Sequence, residues 1–280
     1  MKQTLLITRR LPDRVLDAAR DRFDVTLRDR TEVLSPEELR VALRDYDAVL
    51  PTLGDRFQAD VFADVSAPRA RILANFGVGY NHIDADAAKA AGIVVSNTPG
   101  AVTDATADIA LSLILMTARR LGEGERLLRS GGWDGWGPVQ MLGTHVSGKR
   151  LGVIGCGRIG KAIAKRCHFG FDMEVVFYNR SPVEDPGMPA RQVEMAEAMA
   201  ADFVVVAVPG GKATHHLIDA KTLGMMKTSG IFVNISRGDV VHETALIDAL
   251  QKGQIAGAGL DVYEFEPKVP VALMAMENVT

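Results

Sequence analysis

Only two of the 280 residues are cysteine. Cys156 and Cys167 fall inside one expected strand–helix unit, which argues against a disulfide framework or a metal cluster and fits a reducing cytoplasm. Neither charge sign dominates. The formal net charge is −3, so nothing suggests nucleic acid or an acidic membrane surface as a partner. Long apolar runs are also missing. The longest, IALSLILMTA at 109–118, is too short to span a bilayer and has polar flanks, so it reads as a buried helix. The apolar run inside MKQTLLITRR is too short for a signal peptide. There is no low-complexity tract and no solenoid repeat.

The remaining sequence is that of an ordinary globular protein, with 47% apolar and 24% charged residues. The length suits two domains, each with its own core. Strand signals at 4–8, 47–53, 71–77 and 92–97 alternate with helix signals over the first hundred residues. Pro12–Arg22 has helical spacing, and Ser35-Pro36-Glu37-Glu38 has the chemistry of a helix start. Residues 101–120 read as one long helix, apolar almost all round in its second half and so expected to be buried between domains or subunits. Gly-rich 130–138 reads as a loop. A second series of strands is expected at 151–155, 174–179, 201–209, 230–236 and 256–264. Strands alternating with helices imply parallel sheets. The expected architecture is α/β: two Rossmann-like, doubly wound parallel-sheet domains with a cleft between them, divided at 1–99 and 100–280.

LGVIGCGRIG at 151–160 places Gly155, Gly157 and Gly160 in a G-x-G-x-x-G pattern, with Arg158 and Ile159 inside it. A lone match is weak, but this one follows an apolar strand and opens a helix. In that context Gly155 allows a tight turn and Gly157 lets backbone approach a pyrophosphate. Gly160 allows close helix–strand packing, and the helix N-terminus faces the phosphates. About 20 residues on, an NAD site carries an acidic residue for the ribose 2′-hydroxyl. This chain has Asn179-Arg180-Ser181 instead. An uncharged Asn179 does not repel a 2′-phosphate, Arg180 can pair with one, and Ser181 can donate to it. The stretch favours NADP over NAD, with NAD still possible; the alternative is a solvated Arg180 and weak discrimination.

Five segments in order, NFGVGYNHID (75–84), SNTPGAVTDATADIAL (96–111), WGPVQMLGTHVSGKRLGVIGCGRIG (136–160), LIDAKTLGMMKTSGIFVNISRGDVV (217–241) and GAGLDVYEFEP (257–267), resemble the D-isomer-specific 2-hydroxyacid dehydrogenases. The resemblance is to their glyoxylate and hydroxypyruvate reductase branch and covers nearly the whole chain. It implies hydride transfer from NAD(P)H to a small 2-keto acid and a homodimer. Residues 1–99 would be a flavodoxin-like substrate domain without its C-terminal return segment, and residues 100–280 would bind the dinucleotide. The N–H groups of Val78 and Gly79 would hold the substrate carboxylate. Arg237 would bind substrate and polarise its carbonyl. Glu266 would pair with a catalytic histidine, and Asp261 would fix the nicotinamide carboxamide. Val208 and Pro209 would line the adenine site.

The family's histidine follows Glu266 in a proline–histidine–glycine context, and the match runs out a few residues before it. The sequence is therefore read as a clipped form of a longer enzyme, or as one given without its tail, with the activity belonging to the complete protein. Of the histidines present, His82 could approach the substrate, but an exposed loop residue is the preferred reading. A reading from a different class, a cofactor-sensing, corepressor-like binding protein on the same scaffold, stays open; retention of Arg237 and Glu266 favours the enzyme.

Overall fold

A computed structural model describes residues 1–280, which divide into compact units at Met1–Ala101 and Val102–Thr280. The first unit contains β1 (Thr4–Ile7), α1 (Asp13–Arg22), β2 (Asp24–Leu27), α2 (Pro36–Asp45), β3 (Ala48–Leu50), α3 (Ala59–Ala63), β4 (Ile72–Ala74), α4 (Ala85–Ala90) and β5 (Val94–Ser96). The second contains α5 (Thr103–Ala118), α6 (Leu121–Arg129), β6 (Arg150–Ile154), α7 (Arg158–Phe171), β7 (Glu174–Tyr178), β8 (Ala190–Gln192), α8 (Met195–Met199) and β9 (Phe203–Val206). It continues with α9 (Ala220–Leu223), β10 (Ile231–Asn234), α10 (Glu243–Gln251), β11 (Gly257–Leu260) and α11 (Val271–Met274). No helix is long and apolar enough to cross a membrane.

The first sheet has the order β2-β1-β3-β4-β5, every pair parallel. This is the flavodoxin order, which reverses between β1 and β3. Helix starts follow their local chemistry. Ser35 and Glu38 form a capping box on α2, with Pro36 as its first residue, and the Asp84 side chain caps α4. Leu6, Leu39, Leu43, Val49, Phe57, Phe62 and Leu73 form the main core of this unit.

The second sheet has the order β11-β10-β9-β6-β7-β8, again all parallel. Counted from β6, this is the 3-2-1-4-5-6 order of a dinucleotide-binding fold, with its switch point between β6 and β9. Strands buried on both faces read as continuous apolar runs, and Phe203–Val206 is buried throughout. Strand β8 was not anticipated. It is a short, largely exposed edge strand, ARQ, with no apolar alternation to betray it.

The long helix expected over 101–120 ends at Ala118. Arg120 adopts a left-handed conformation (φ 54°), and the separate helix α6 follows. Helix α5 packs on the second sheet. Ala107, Ala110, Leu113, Ile114 and Ala118 join that unit's core. Glycines in β11 make the approach possible: a Cβ on Gly259 would stand 2.8 Å from Leu113 Cβ.

Candidate active site

The expected site residues fall into one group in each unit. In the first, the turn after β4 carries Val78 and Gly79. Its carbonyls are all engaged within the protein. Asn75 Nδ2 donates to Gly77 O (3.1 Å) and Gly79 O (3.0 Å), Thr98 N donates to Gly77 O (3.1 Å), and Asn97 Nδ2 donates to Val78 O (2.8 Å). The N–H groups of Val78 and Gly79 have no acceptor in the protein. With the carbonyls locked inward, the turn offers two unpaired donors, a small anion-binding nest. Gly77, at φ +150°, gives the chain its bend.

Phe76 N donates to Pro51 O (2.9 Å), which joins this turn to the loop after β3. Exposed Leu53, Phe76 and Tyr80 give the region an apolar rim. Leu53 was not among the sequence candidates, because a lone leucine at a strand end carries no motif. His82, expected to be an exposed loop residue, is instead buried at 8% exposure, and its carbonyl accepts from Gln58 Nε2 (2.9 Å).

In the second unit, the glycine pattern sits at the switch point. Gly155 follows β6 with φ +101°. A Cβ there would meet Val208 Cγ1 at 2.8 Å and the Ala207 carbonyl carbon at 2.9 Å. A Cβ on Gly160 would lie 2.1 Å from Gly155 O, so α7 and the turn are in direct contact. Gly157 differs: nothing in the protein lies within 4 Å of where its Cβ would be. It caps α7, and no acidic residue occupies that helix's first turn. The N–H groups of Arg158, Ile159 and Gly160 have no acceptor in the protein. Free amides, a helix dipole and empty space over Gly157 fit a pyrophosphate. Ile159 packs against the core and Arg158 is exposed.

Strand β7 delivers Asn179, Arg180 and Ser181. Asn179 is committed structurally: its Oδ1 accepts from Cys156 N (3.2 Å) and its Nδ2 donates to Ser181 O (2.8 Å), tying the strand end to the glycine turn. Gln192, on the overlooked β8, braces the same loop by donating to Asn179 O (3.0 Å) and Ser181 O (3.1 Å). Arg180 and Ser181 are exposed, and the Arg180 side chain makes no hydrogen bond or ion pair within the protein. Val208 is half-buried beside Gly155. Pro209 is exposed, with its carbonyl accepting from Thr214 Oγ1 (2.6 Å).

Beyond β10 lies the turn that holds Arg237, organised by Asn234, which was not singled out from sequence. Buried Asn234 accepts from Ser236 N (3.0 Å) and Ser236 Oγ (2.8 Å), and donates to Arg237 O (3.0 Å). Its available signal was an amide ending an apolar strand. Arg237 is half-buried, and its Nη1 donates to Ser236 O (2.7 Å). Gly238 presses flat on the segment after β11: a Cβ would lie 1.8 Å from Tyr263 O. That segment carries Asp261 and Glu266. Glu266 is exposed and its Oε1 accepts from Tyr263 N (2.9 Å). Surrounding protein, and then the charge of Glu266, raise the Asp261 carboxyl above its ordinary value.

The sequence pattern of "D-isomer specific 2-hydroxyacid dehydrogenase, NAD binding domain" matches residues 111–280. The chain belongs to this family. A glyoxylate reductase of Thermococcus gammatolerans is 43% identical over 286 aligned positions, spanning 100% of this chain and 85% of the relative. Among solved structures, a D-isomer-specific 2-hydroxyacid dehydrogenase from Polaromonas superposes with a TM-score of 0.90 at 33% identity, covering 100% of this chain and 88% of that one. An NADPH-dependent glyoxylate/hydroxypyruvate reductase from Sinorhizobium meliloti, solved with NADP and malonate, gives 0.86 at 34% identity, covering 100% and 85%. This 2-hydroxyacid dehydrogenase chain is thus an oxidoreductase that uses a nicotinamide dinucleotide, and its second unit has the fold and the unpaired amides to hold one.

Proposed function

We propose that the protein reduces glyoxylate or hydroxypyruvate with NADPH to the D-2-hydroxy acid. The first unit would supply the substrate-carboxylate turn and the second would bind the dinucleotide. The observation that carries the substrate class is the turn at 77–79, whose carbonyls are all engaged while two N–H groups stay available to a carboxylate. The Thermococcus glyoxylate reductase and the Sinorhizobium glyoxylate/hydroxypyruvate reductase act on substrates of this kind. The reduced nicotinamide supplies the hydride when bound. Gly155–Gly160 would carry the pyrophosphate, and Asp261 would orient the carboxamide. Val78 and Gly79 would hold the substrate carboxylate, and Arg237 would draw charge onto the carbonyl oxygen. Glu266 would orient the histidine that protonates that oxygen. The corepressor-like alternative gains no support from these relatives. Steady-state NADPH oxidation by the full-length gene product against a panel of small keto acids tests the proposal; turnover of none of them would refute it.

The preference for NADPH rests on Arg180, an exposed guanidinium with no partner in the protein, beside a neutral Asn179. Arg180→Ala is expected to weaken NADPH binding by about 1.5–3 kcal/mol, the range for a hydrogen bond to a charged group, and NADH binding far less. Fluorescence titration of both cofactors checks this. Equal losses would remove Arg180 from the reading of the 2′-phosphate.

A homodimer is proposed from α6 and the loop after it, in place of the α5 surface that the sequence suggested. No residue of α6 is buried. Leu121, Leu128, Trp133, Trp136, Val139 and Leu142 are all exposed, Trp136 at 84%. So much apolar surface in one stretch marks an interface. Light scattering should report a dimer, and Leu128→Ser with Trp136→Ser should shift it to monomer. A wild-type monomer at micromolar concentration would contradict this. A cytoplasmic location is proposed on the two buried, unpaired cysteines. Burial pushes the Cys167 thiol up to about 12, which keeps it protonated and inert.

A further inference from the structure

A second histidine–glutamate pair lies in the dinucleotide unit, apart from the residues assigned above. His216 Nε2 and Glu264 Oε1 are 2.7 Å apart. The other carboxylate oxygen accepts from Glu243 N (3.0 Å), the first residue of α10, and Glu264 N donates to Glu243 Oε2 (3.3 Å). His216 N donates to Asp239 O (2.9 Å), two residues past Arg237. One carboxylate therefore joins the turn after β9, the start of α10 and the segment carrying Asp261 and Glu266. His216 holds a left-handed backbone (φ 50°), an uncommon conformation for a non-glycine residue that the surrounding contacts maintain. Burial pushes the Glu264 carboxyl up. Hydrogen bonds from His216 and Glu243, and the nearby imidazoles, outweigh it and hold the group below its ordinary value.

The rings of His215 and His242 flank His216, with centroids 3.8 and 4.7 Å away. His215, His216 and Glu264 bring their ligand-type atoms within 4.8 Å of one another, but the geometry is that of a hydrogen-bonded pair and not a metal site. His216 Nε2 and Glu264 Oε1 are already engaged with each other. The second Glu264 oxygen is committed to a backbone amide.

We infer that His216 and Glu264 are positioning residues of the reductase, holding the segment of Asp261 and Glu266 against the Arg237 turn. The inference rests on the reductase reading for its catalytic consequence. Its structural half stands on the bonds alone. The pair lies apart from the residues assigned to substrate and cofactor, and would act through the Gly238–Tyr263 contact and the 261–267 backbone.

The test uses full-length Glu264→Ala, Glu264→Gln, His216→Ala and His216→Gln. In Glu264→Ala and His216→Ala, kcat at saturating NADPH should fall about 10- to 100-fold, the scale for misplacing a catalytic group by an ångström. NADPH affinity should stay within about threefold, because the pyrophosphate is carried elsewhere. Amides of 261–267 should exchange at least about tenfold faster while those of β10 do not change. His216→Gln, which keeps a donor toward Glu264, should recover most of the lost rate; if the alanine variants do not fold, the two glutamine variants are compared in their place. Unchanged kcat, or unchanged exchange at 261–267, would overturn the inference. So would protection that requires added Zn²⁺ and disappears in His215→Ala, since that would make the cluster a metal site. If wild type reduces no keto acid, the reductase reading fails and the exchange measurement alone decides the structural half.

Discussion

Arg237→Ala is expected to lower kcat/KM for the keto acid by about 10²–10³, the usual cost of removing one preorganised donor to developing oxyanion charge. NADPH affinity should hold within about threefold, because free amides of the glycine turn and α7 carry the pyrophosphate. The structure explains why the loss should be confined to chemistry. The Arg237 guanidinium donates to Ser236 O, but other bonds also hold the turn: buried Asn234 binds Ser236 and the Arg237 carbonyl, and Gly238 is pressed onto Tyr263. Removing the side chain should leave that backbone standing. Arg237→Lys keeps the charge but loses the planar fork, and should still cost at least about tenfold. Paired fluorescence titration of NADPH and kinetics with glyoxylate separate the outcomes. Normal turnover of Arg237→Ala with collapsed NADPH binding would make Arg237 a cofactor ligand instead.

Alanine at Gly157 and at Gly160 should fail in opposite ways. At Gly160 the added methyl would stand 2.1 Å from Gly155 O and 3.1 Å from Val153 Cγ1. Backbone cannot yield as a flexible side chain does. The variant should lose at least about 1–3 kcal/mol of stability through overpacking, and NADPH binding with it as the turn is displaced. At Gly157 the methyl meets nothing in the protein. The melting temperature should barely move, while NADPH binding weakens by about 1.5–3 kcal/mol, the scale of one lost hydrogen bond to a charged group. Thermal unfolding without cofactor, combined with fluorescence titration, distinguishes the two. Undiminished NADPH affinity in Gly157→Ala would mean that the cofactor does not pass over this residue.

Much of this protein is legible from sequence because the requirements are local. Apolar strands buried on both faces, Ser35-Pro36 at a helix start, and glycines spaced at 155, 157 and 160 are each demanded by chain geometry within a few residues. The same is true of the neutral Asn179 where an acid is usual. From these the two parallel sheets, the cofactor class and the family follow. What tertiary structure alone decided involves partners far apart in the chain or signals too weak to carry a period. Strand β8 is three exposed polar residues, yet its Gln192 braces the Arg180 loop. Helix α5 is apolar almost all round, and only the packing of Leu113 on Gly259 shows which surface it covers. His82 looks like a loop residue until the fold buries it. His216 and Glu264 are 48 residues apart, and no spacing rule joins them. Such pairs arise because the sheet order lays the ends of β9, β10 and β11 side by side, an arrangement that long-range packing imposes and local propensity does not encode.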